Sequence, residues 1–221
     1  MESKTNPVST PAPILAIAPV ITHGNPELPE VALTFDDGPS QFTIQVLAIL
    51  QQFGVKATFF SIGQNIATYP AYLLQGIEGE NAVENHTFTH PHLITLSYSA
   101  IYQELSETQN AIFHATGTRP TLFRPPYGEY NANVLATAGQ LGLTILTWSA
   151  SAEDWENPQP SASVIASRIL SAAENGAIFL LHEGGGNRAN TVAALPVIIT
   201  GLQSRGLRLV TIPQMLANLD K

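Results

Sequence analysis

Short apolar runs alternate along the chain with longer stretches in which apolar residues recur every three or four positions. The short runs have the length and the β-branched content of buried strands. Seven of them are predicted as strands, over residues 31–35, 57–61, 82–85, 121–124, 143–148, 177–181 and 207–211. Because strands that alternate with helices usually pair in parallel, the pattern predicts an α/β fold with a barrel-like or open sheet.

The stretches between these runs show the periodicity of amphipathic helices. Ile44, Leu47, Leu50 and Phe53 form one apolar stripe, which is followed by Gly54, a natural helix stop. Similar stripes occupy residues 101–113, 134–141 and 192–202. The first of these three follows two serines that are suitable helix caps, at positions 97 and 99.

Ionisable residues follow five of the predicted strands at their carboxyl ends. They are Asp36 and Asp37, His86, Arg124, Asp154 and His182. In parallel α/β folds the carboxyl ends of the strands open on one face, which is where active sites lie. We therefore expect these side chains to converge on one site, and the convergence favours an enzyme.

Composition narrows the kind of protein and of site. The 221 residues are 44% hydrophobic and only 12% charged, as suits one well-packed domain. A net charge of −8 with nine Lys and Arg argues against a nucleic-acid partner. There is no cysteine, so any metal must be held by histidine and carboxylate. No apolar run approaches the ~20 residues of a membrane span. Residues 1–28 are expected to be a linker or N-terminal extension, and residues 29–221 a single domain.

Two adjacent acids and two histidines suggest metal chemistry. Asp36 and Asp37 stand side by side at a strand end, where like charges repel unless a cation or a shared proton intervenes. His86 and His90 are four residues apart, and on a helical turn they would share a face and could bind one metal. Thr87 stands where the zinc-peptidase motif requires glutamate, which argues against that chemistry. Either aspartate could complete the site, leaving the other as a base.

A third motif, Arg124-Pro125-Pro126-Tyr127-Gly128, adds a cation and a rigid backbone. Arg124 could keep one of the aspartates ionised and oriented. The two prolines fix the chain that follows, so the N–H of Tyr127 would be held in a defined direction. A purely structural turn is the alternative interpretation of this motif.

Five motifs occur in the order found in polysaccharide deacetylases, the NodB-homology domains of carbohydrate esterase family 4. They are Thr34-Phe35-Asp36-Asp37-Gly38-Pro39, His86-Thr87-Phe88-Thr89-His90, Arg124-Pro125-Pro126-Tyr127-Gly128, Glu153-Asp154-Trp155 and Leu180-Leu181-His182. The sequence resembles this family from about residue 30 to residue 216. The resemblance implies a distorted (β/α) barrel of seven-strand type and a metal-dependent hydrolase that removes N-acetyl groups from GlcNAc-containing polysaccharide, either peptidoglycan or chitin-like oligomers.

The resemblance also implies a role for each site residue. Asp36 would be the general base and His182 the general acid. Arg124 would pair with Asp36, Asp154 would orient His182, and the Tyr127 N–H would help to hold the oxyanion. The expected metal ligands are Asp37, His86 and His90, and the expected pocket residues are Trp155, Leu180, Pro125 and Tyr127. Zinc suits two histidines and one aspartate best, and cobalt or nickel is also accepted.

The sequence leaves rival functions open and departs from the family pattern at two positions. O-deacetylation of acetylated xylan and a catalytically inactive, glycan-binding relative are the rival functions. Ser151 stands where the family usually has an additional acid, and Glu183 where it usually has aspartate. His92 is not expected to be a ligand, because Asp37 already fills the third position. We expect a monomer with an N-acetylated polysaccharide substrate and an extracytoplasmic location, although no export sequence is visible.

Overall fold

The structure is a computed structural model that describes residues 17–219. The Ser-, Thr- and Pro-rich start of the expected linker lies outside the described residues. Nine strands occur in residues 17–219: β1 (Val20–Ile21), β2 (Glu30–Gly38), β3 (Thr58–Ser61), β4 (Ala82–Asn85), β5 (Leu122–Phe123), β6 (Thr144–Leu146), β7 (Ala150–Ser151), β8 (Ile178–His182) and β9 (Arg208–Leu209). All seven strands predicted from the sequence are present, and β1 and β7 were missed.

Eight α-helices connect the strands in the same part of the chain. They are α1 (Thr43–Phe53), α2 (Gly63–Ile66), α3 (Pro70–Glu78), α4 (Tyr98–Thr116), α5 (Ala132–Gln140), α6 (Ala162–Ser171), α7 (Ala189–Ser204) and α8 (Ile212–Leu216). Short 3₁₀ helices lie at Leu93–Thr95 and Pro126–Gly128. The four helical stripes predicted from the sequence lie in α1, α4, α5 and α7. None of the helices within residues 17–219 combines the length and the hydrophobicity that crossing a membrane requires.

The strands pair in parallel in the order β1-β6-β5-β4-β3-β2-β8-β7, and β9 pairs with the start of β2. The sheet curls into a half-barrel with helices around it, so the predicted distorted (β/α) barrel is confirmed. The two strands that the sequence did not predict form the two ends of this order. Each is only two residues long.

Strand β2 lies in the middle of the sheet and is buried on both faces, which is why its sequence reads as a continuous apolar run. Val31, Leu33 and Phe35 pack in the largest apolar cluster, together with residues of α1, α6 and α7. Because side chains alternate along a strand, the residues between them point to the inside of the barrel. On that side Thr34 and Asp36 follow the small Ala32, so the interior becomes polar toward the carboxyl end.

Local sequence features set the helix ends as expected. Gly54 ends α1 with a left-handed φ of 64°, and its N–H donates to carbonyls of the last turn. Ser97 caps α4, because its hydroxyl accepts from the N–H of Ala100.

Part of the segment expected to be a linker belongs to the folded body. Strand β1 pairs with β6, and Ala18 is buried among residues of α5 and β6. The chain from residue 18 to residue 21 therefore packs on the sheet. The boundary at residue 28 stays a prediction.

Candidate active site

A bulge at the end of β2 brings both aspartates to one cavity. The pairing with β3 shifts between Asp36 and Gly38, and Asp37 is the extra residue, with a φ of 70°. Neighbouring strand residues normally point to opposite faces, and a bulge redirects one of them. Both carboxylates consequently line the same cavity. The loop after β8 packs directly on the bulge, since a Cβ on Gly185 would lie 2.4 Å from Asp37 Oδ2.

Asp37, His86 and His90 form a cluster that fits a metal ion. Asp37 Oδ1 lies 3.5 Å from His86 Nε2 and 3.3 Å from His90 Nε2, and the candidate ligand atoms all lie within 4.8 Å of one another. Asp37 Oδ1 is buried and has no hydrogen-bond partner, a condition that a cation would relieve. His86 Nδ1 lies 2.7 Å from the carbonyl oxygen of Arg124. When the Nδ1–H donates a hydrogen bond to this carbonyl, Nε2 is the nitrogen that can bind a metal.

The electrostatics of the cluster match what a metal requires. Burial alone would raise the pKa of Asp37, but His86 and the charges of His182 and His90 hold it well below its usual range. Burial lowers the pKa of His90, and the neighbouring His86 lowers it further. An ionised carboxylate and a neutral imidazole are the ligand states that divalent metals bind.

The two histidines do not share a helical turn, so that part of the sequence prediction was wrong. Residues 86–90 form a loop after β4, in which Thr87 has a φ of 67° and His90 a φ of 61°. Left-handed backbone at a non-glycine residue costs about 1–3 kcal/mol and persists only where neighbouring contacts impose it. The loop brings both ring nitrogens near Asp37 by tertiary contacts rather than by helical spacing.

Arg124 lies behind Asp36 and donates to its Oδ1 at 2.7 Å. The guanidinium is completely buried, and it also donates to Thr34 Oγ1 at 2.7 Å and to the Thr147 carbonyl at 3.0 Å. Its charge lies over the ring of Phe60, 4.2 Å from the centroid. The two adjacent aspartates therefore have different neighbours. Arg124 donates a hydrogen bond to Asp36, whereas the ring nitrogens of His86 and His90 lie near Asp37 without a hydrogen bond to its Oδ1.

His182 and Asp154 form a hydrogen-bonded pair on another side of the cavity. His182 Nδ1 lies 2.7 Å from Asp154 Oδ1, and Asp154 Oδ2 accepts from the backbone N–H of His182 and from the hydroxyl of Thr191. Burial would lower the pKa of His182, but the hydrogen bond and charge of Asp154 outweigh it and raise that pKa above its ordinary value. Asp154 contacts Nδ1 of His182, so Nε2 is the ring nitrogen that it leaves unengaged.

The cavity has a volume of about 420 Å³. Nine of the eleven predicted site residues line it: Asp36, Asp37, His86, His90, Pro125, Tyr127, Leu180, Trp155 and His182. The other two, Arg124 and Asp154, lie behind Asp36 and His182 respectively. Trp155 meets the His182 ring edge to face, and Tyr127 meets the His90 ring in the same way, with centroids 5.1 and 4.9 Å apart.

Three residues that line the cavity, Trp148, Gly185 and Arg188, were not among the predicted site residues. Trp148 follows β6 and packs against Gly128, where a Cβ would lie 2.9 Å from the indole. Its position at the end of a predicted strand was the available clue. Arg188 is buried and donates to the carbonyls of Gly184, Asp154 and Gly185, so it fixes the loop after β8.

Three residues that raised questions in the sequence have defined surroundings. His92 lies outside the metal cluster: its Nδ1 is 3.0 Å from a carboxylate oxygen of Glu129, and its ring stacks on Tyr127. Ser151, at the position of the missing acid, accepts from the N–H of Glu153. Glu183 is completely buried, which raises its pKa to about 8.

Comparison with known proteins finds relatives that cover most of the chain. The sequence profile described as polysaccharide deacetylase matches residues 23–146, more than half of the chain. The peptidoglycan-N-acetylglucosamine deacetylase PgdA of Listeria monocytogenes is 38% identical over 197 residues, 86% of this chain and 41% of that protein. The bifunctional xylanase/xylan deacetylase of Cellvibrio japonicus is 38% identical over 178 residues, 80% of this chain and 26% of that protein. The chain thus spans less than half of the length of these two relatives.

Solved structures share the fold. The Bc1960 peptidoglycan N-acetylglucosamine deacetylase superposes with a TM-score of 0.86 at 34% identity, over 90% of this chain and 92% of that one. A pseudoenzyme of carbohydrate esterase family 4 from Bacillus anthracis, BA3943, superposes with a TM-score of 0.83 at 29% identity, over 89% and 68% of the two chains. The profile match, the relatives and the shared fold show that this chain belongs to the polysaccharide deacetylase family.

Proposed function

We propose that the chain is a metal-dependent N-deacetylase of GlcNAc-containing polysaccharide, of the peptidoglycan or chitin type. The observation that carries the proposal is that three groups of side chains meet at one cavity. The first is Asp37, whose buried Oδ1 has no hydrogen-bond partner, with the imidazoles of His86 and His90. The other two are the pairs Asp36–Arg124 and His182–Asp154.

In this proposal Asp37, His86 and His90 hold the metal, with zinc as the first choice and cobalt or nickel as alternatives. A bound divalent cation would supply Lewis-acid polarisation of the acetyl carbonyl, which is a poor electrophile in an amide, and would make water more acidic. The donor set of two imidazoles and one carboxylate suits these metals, and it leaves positions open for water and substrate.

The remaining side chains move protons and hold the substrate. Asp36 accepts the proton of the attacking water, because its Oδ1 is engaged by Arg124 while Oδ2 stays toward the cavity, 3.7 Å from His86 Nε2. His182 gives a proton to the departing amine, since Asp154 fixes its Nδ1 and keeps the imidazole protonated to higher pH.

Other groups of the site are proposed to bind the oxyanion and the acetyl methyl group. The Tyr127 N–H is the proposed oxyanion donor, and one such donor contributes about 3–4 kcal/mol to transition-state stabilisation. Trp155, Leu180, Pro125 and the Tyr127 side chain form the proposed walls for the acetyl methyl group, and all four line the cavity.

The substrate is assigned by analogy. The Listeria and Bc1960 proteins are named for peptidoglycan N-acetylglucosamine, which supports an N-acetylated glycan. O-deacetylation of xylan is the second candidate, because the Cellvibrio protein, which carries a xylan deacetylase, has the same percentage identity. We include in the proposal an extracytoplasmic location, where such polymers lie, and action as a monomer.

An inactive, glycan-binding role is the rival of a different class, and the family includes a pseudoenzyme. Two arrangements favour an enzyme over it. The completely buried Arg124 is paired with Asp36, and the completely buried Asp154 is paired with His182. Ionic groups are costly to bury, and sugar binding alone uses neither pair.

Acetate release by three variants tests the proposal, on metal-stripped and zinc-reloaded protein. Asp36→Asn is expected to keep zinc and to lose acetate release, because it removes the base but no ligand. Asp37→Asn is expected to lose both. His114→Ala, which removes an exposed histidine that lies outside both the cluster and the cavity, is the matched control and should keep both. The substrates are chito-oligosaccharides, peptidoglycan and acetylated xylan in parallel.

Two results would contradict the proposal. One is acetate release at the wild-type rate by zinc-loaded Asp36→Asn protein. The other is tight, metal-independent glycan binding by the wild type without acetate release from any of the three substrates, which would support the inactive role. Release from acetylated xylan alone would favour the O-deacetylase.

A further inference from the structure

The loop between the two candidate metal histidines is held from two sides. On one side the first N–H groups of α2, those of Gly63 and Gln64, donate to the carbonyls of Thr87 and Phe88 at 2.9 and 3.1 Å. On the other side lies α4, whose Glu104 points its carboxylate at the same loop.

Glu104 makes three hydrogen bonds to two successive residues of the loop. Its Oε2 accepts from the backbone N–H of Phe88 and of Thr89, each at 2.8 Å, and its Oε1 accepts from the hydroxyl of Thr89 at 2.7 Å. Bonds to an ionised acceptor are stronger than neutral ones. One side chain therefore fixes both peptide units at the centre of the loop.

These contacts act on a backbone that has unfavourable conformations at two residues. Thr87 and His90 both have positive φ values, although neither is glycine and threonine is β-branched. Such conformations persist where surrounding contacts over-determine them. The orientation of the two imidazoles toward Asp37 depends on this backbone, because each ring is attached directly to an end of the loop.

We propose that Glu104 is a positioning residue for the metal site, acting through the 86–90 loop without touching the metal. The inference rests on the proposed function, specifically on Asp37, His86 and His90 as ligands. Glu104 lies outside the five sequence motifs that carry the family resemblance. Residues behind metal ligands typically change metal affinity by about 10–100-fold when they are removed.

The experiment compares zinc affinity in four proteins, measured by competition with a chromophoric chelator, and records the absorbance of their Co²⁺ forms. Glu104→Ala is expected to raise the zinc Kd by about 10–100-fold and to change the Co²⁺ spectrum. Glu104→Gln should have a smaller effect, because one amide oxygen can still accept from both N–H groups. Glu107→Ala is the matched control, because it removes the same charge from the same helix at a position where the carboxylate accepts from the exposed Gln103.

Stability of the metal-free proteins separates positioning from a general structural role. If Glu104→Ala lowers the melting temperature of the apo protein but binds zinc with wild-type affinity and an unchanged Co²⁺ spectrum, the proposal is overturned. If Glu104→Ala does not fold, Glu104→Gln is compared with the wild type instead. The proposal is then overturned if the two proteins have the same zinc affinity and the same Co²⁺ spectrum. A wild-type protein without zinc affinity would instead refute the proposed function, and this inference with it.

Discussion

The guanidinium of Arg124 donates a 2.7 Å hydrogen bond to Oδ1 of Asp36, and both side chains are almost completely buried. Asp37, the next residue, has a buried oxygen without any such donor. The two aspartates are adjacent and chemically identical, but only the first has a buried cation that donates a hydrogen bond to it. Arg124 satisfies the first carboxylate, whereas the buried oxygen of the second has no hydrogen-bond partner. The proposed division into a base, Asp36, and a metal ligand, Asp37, rests on this difference.

Breaking the buried pair from one side should be strongly destabilising. Arg124→Met leaves Asp36 uncompensated beside Asp37, so we expect the free energy of unfolding to fall by about 3–5 kcal/mol. Urea denaturation of the metal-free proteins measures this. The double variant Asp36→Asn/Arg124→Met removes both charges and should recover part of the loss. A loss by Arg124→Met below about 1 kcal/mol would show that the pair is not a significant constraint.

The contact between Gly185 and Asp37 predicts that a side chain at position 185 would weaken metal binding at the proposed site. Gly185 has a φ of 67°, and a Cβ there would lie 2.4 Å from Asp37 Oδ2, so Gly185→Ala must displace the carboxylate. We expect its zinc Kd to rise by about tenfold or more. Gly186→Ala is the control, because Gly186 also has a positive φ, 138°, but a Cβ added there would meet no atom within 4 Å. Equal zinc affinities for the two variants would contradict the steric explanation.

The pair His182–Asp154 predicts the alkaline limb of the pH profile. If His182 is the general acid, as proposed, it donates a proton only while it is protonated, so activity should fall as pH rises through its pKa. Asp154 raises that pKa. In the Asp154→Asn variant the carboxylate charge beside His182 is lost, while burial still lowers the pKa of His182. The alkaline limb of kcat/KM should therefore move down by about one to three pH units. Thr191→Val removes only a hydrogen bond to Asp154, so it should shift the alkaline limb much less. An unchanged limb in Asp154→Asn would exclude His182 as the titrating acid.

Much of the fold could be predicted from the sequence because the burial of a strand or helix determines which of its positions are apolar. Strand β2 is buried on both faces and α1 on one, and each carries the matching pattern up to a clear stop, at Gly38 and Gly54 respectively. Strands β1 and β7 were not predicted. Their two residues each are placed by pairing with β6 and β8, which is a tertiary effect.

Most of the residues that line the candidate site could be predicted from the sequence, but the geometry of the site could not. The motifs place Asp37, His86 and His90 at strand ends, and the parallel sheet brings those ends together. The helical turn expected for the histidines was wrong because the loop conformation is imposed by α2 and by Glu104, distant in sequence. Sequence spacing carries no information about such partners.

Glu84 offers a test of electrostatics in the sheet that does not depend on metal. Its carboxylate is buried, and one oxygen accepts from the N–H groups of Thr121 and Leu122 at 2.9 and 2.8 Å. Burial raises its pKa from 4.5 to about 7, and the two hydrogen bonds only partly oppose this. Because the folded pKa is above the unfolded one, its stabilising contribution is present below pH 4.5 and is lost as pH rises through about 7.

Glu84→Gln should remove this pH dependence while keeping the acceptor oxygen. Between pH 5 and pH 8 the wild type should lose about 3 kcal/mol of unfolding free energy more than the variant, since each pH unit within the window contributes about 1.4 kcal/mol. Urea denaturation at both pH values, with chelator present, measures the difference. Glu107→Gln, an exposed glutamate, should follow the wild type within about 0.5 kcal/mol. Parallel pH curves for Glu84→Gln and wild type would mean that Glu84 titrates alike in the folded and unfolded chains.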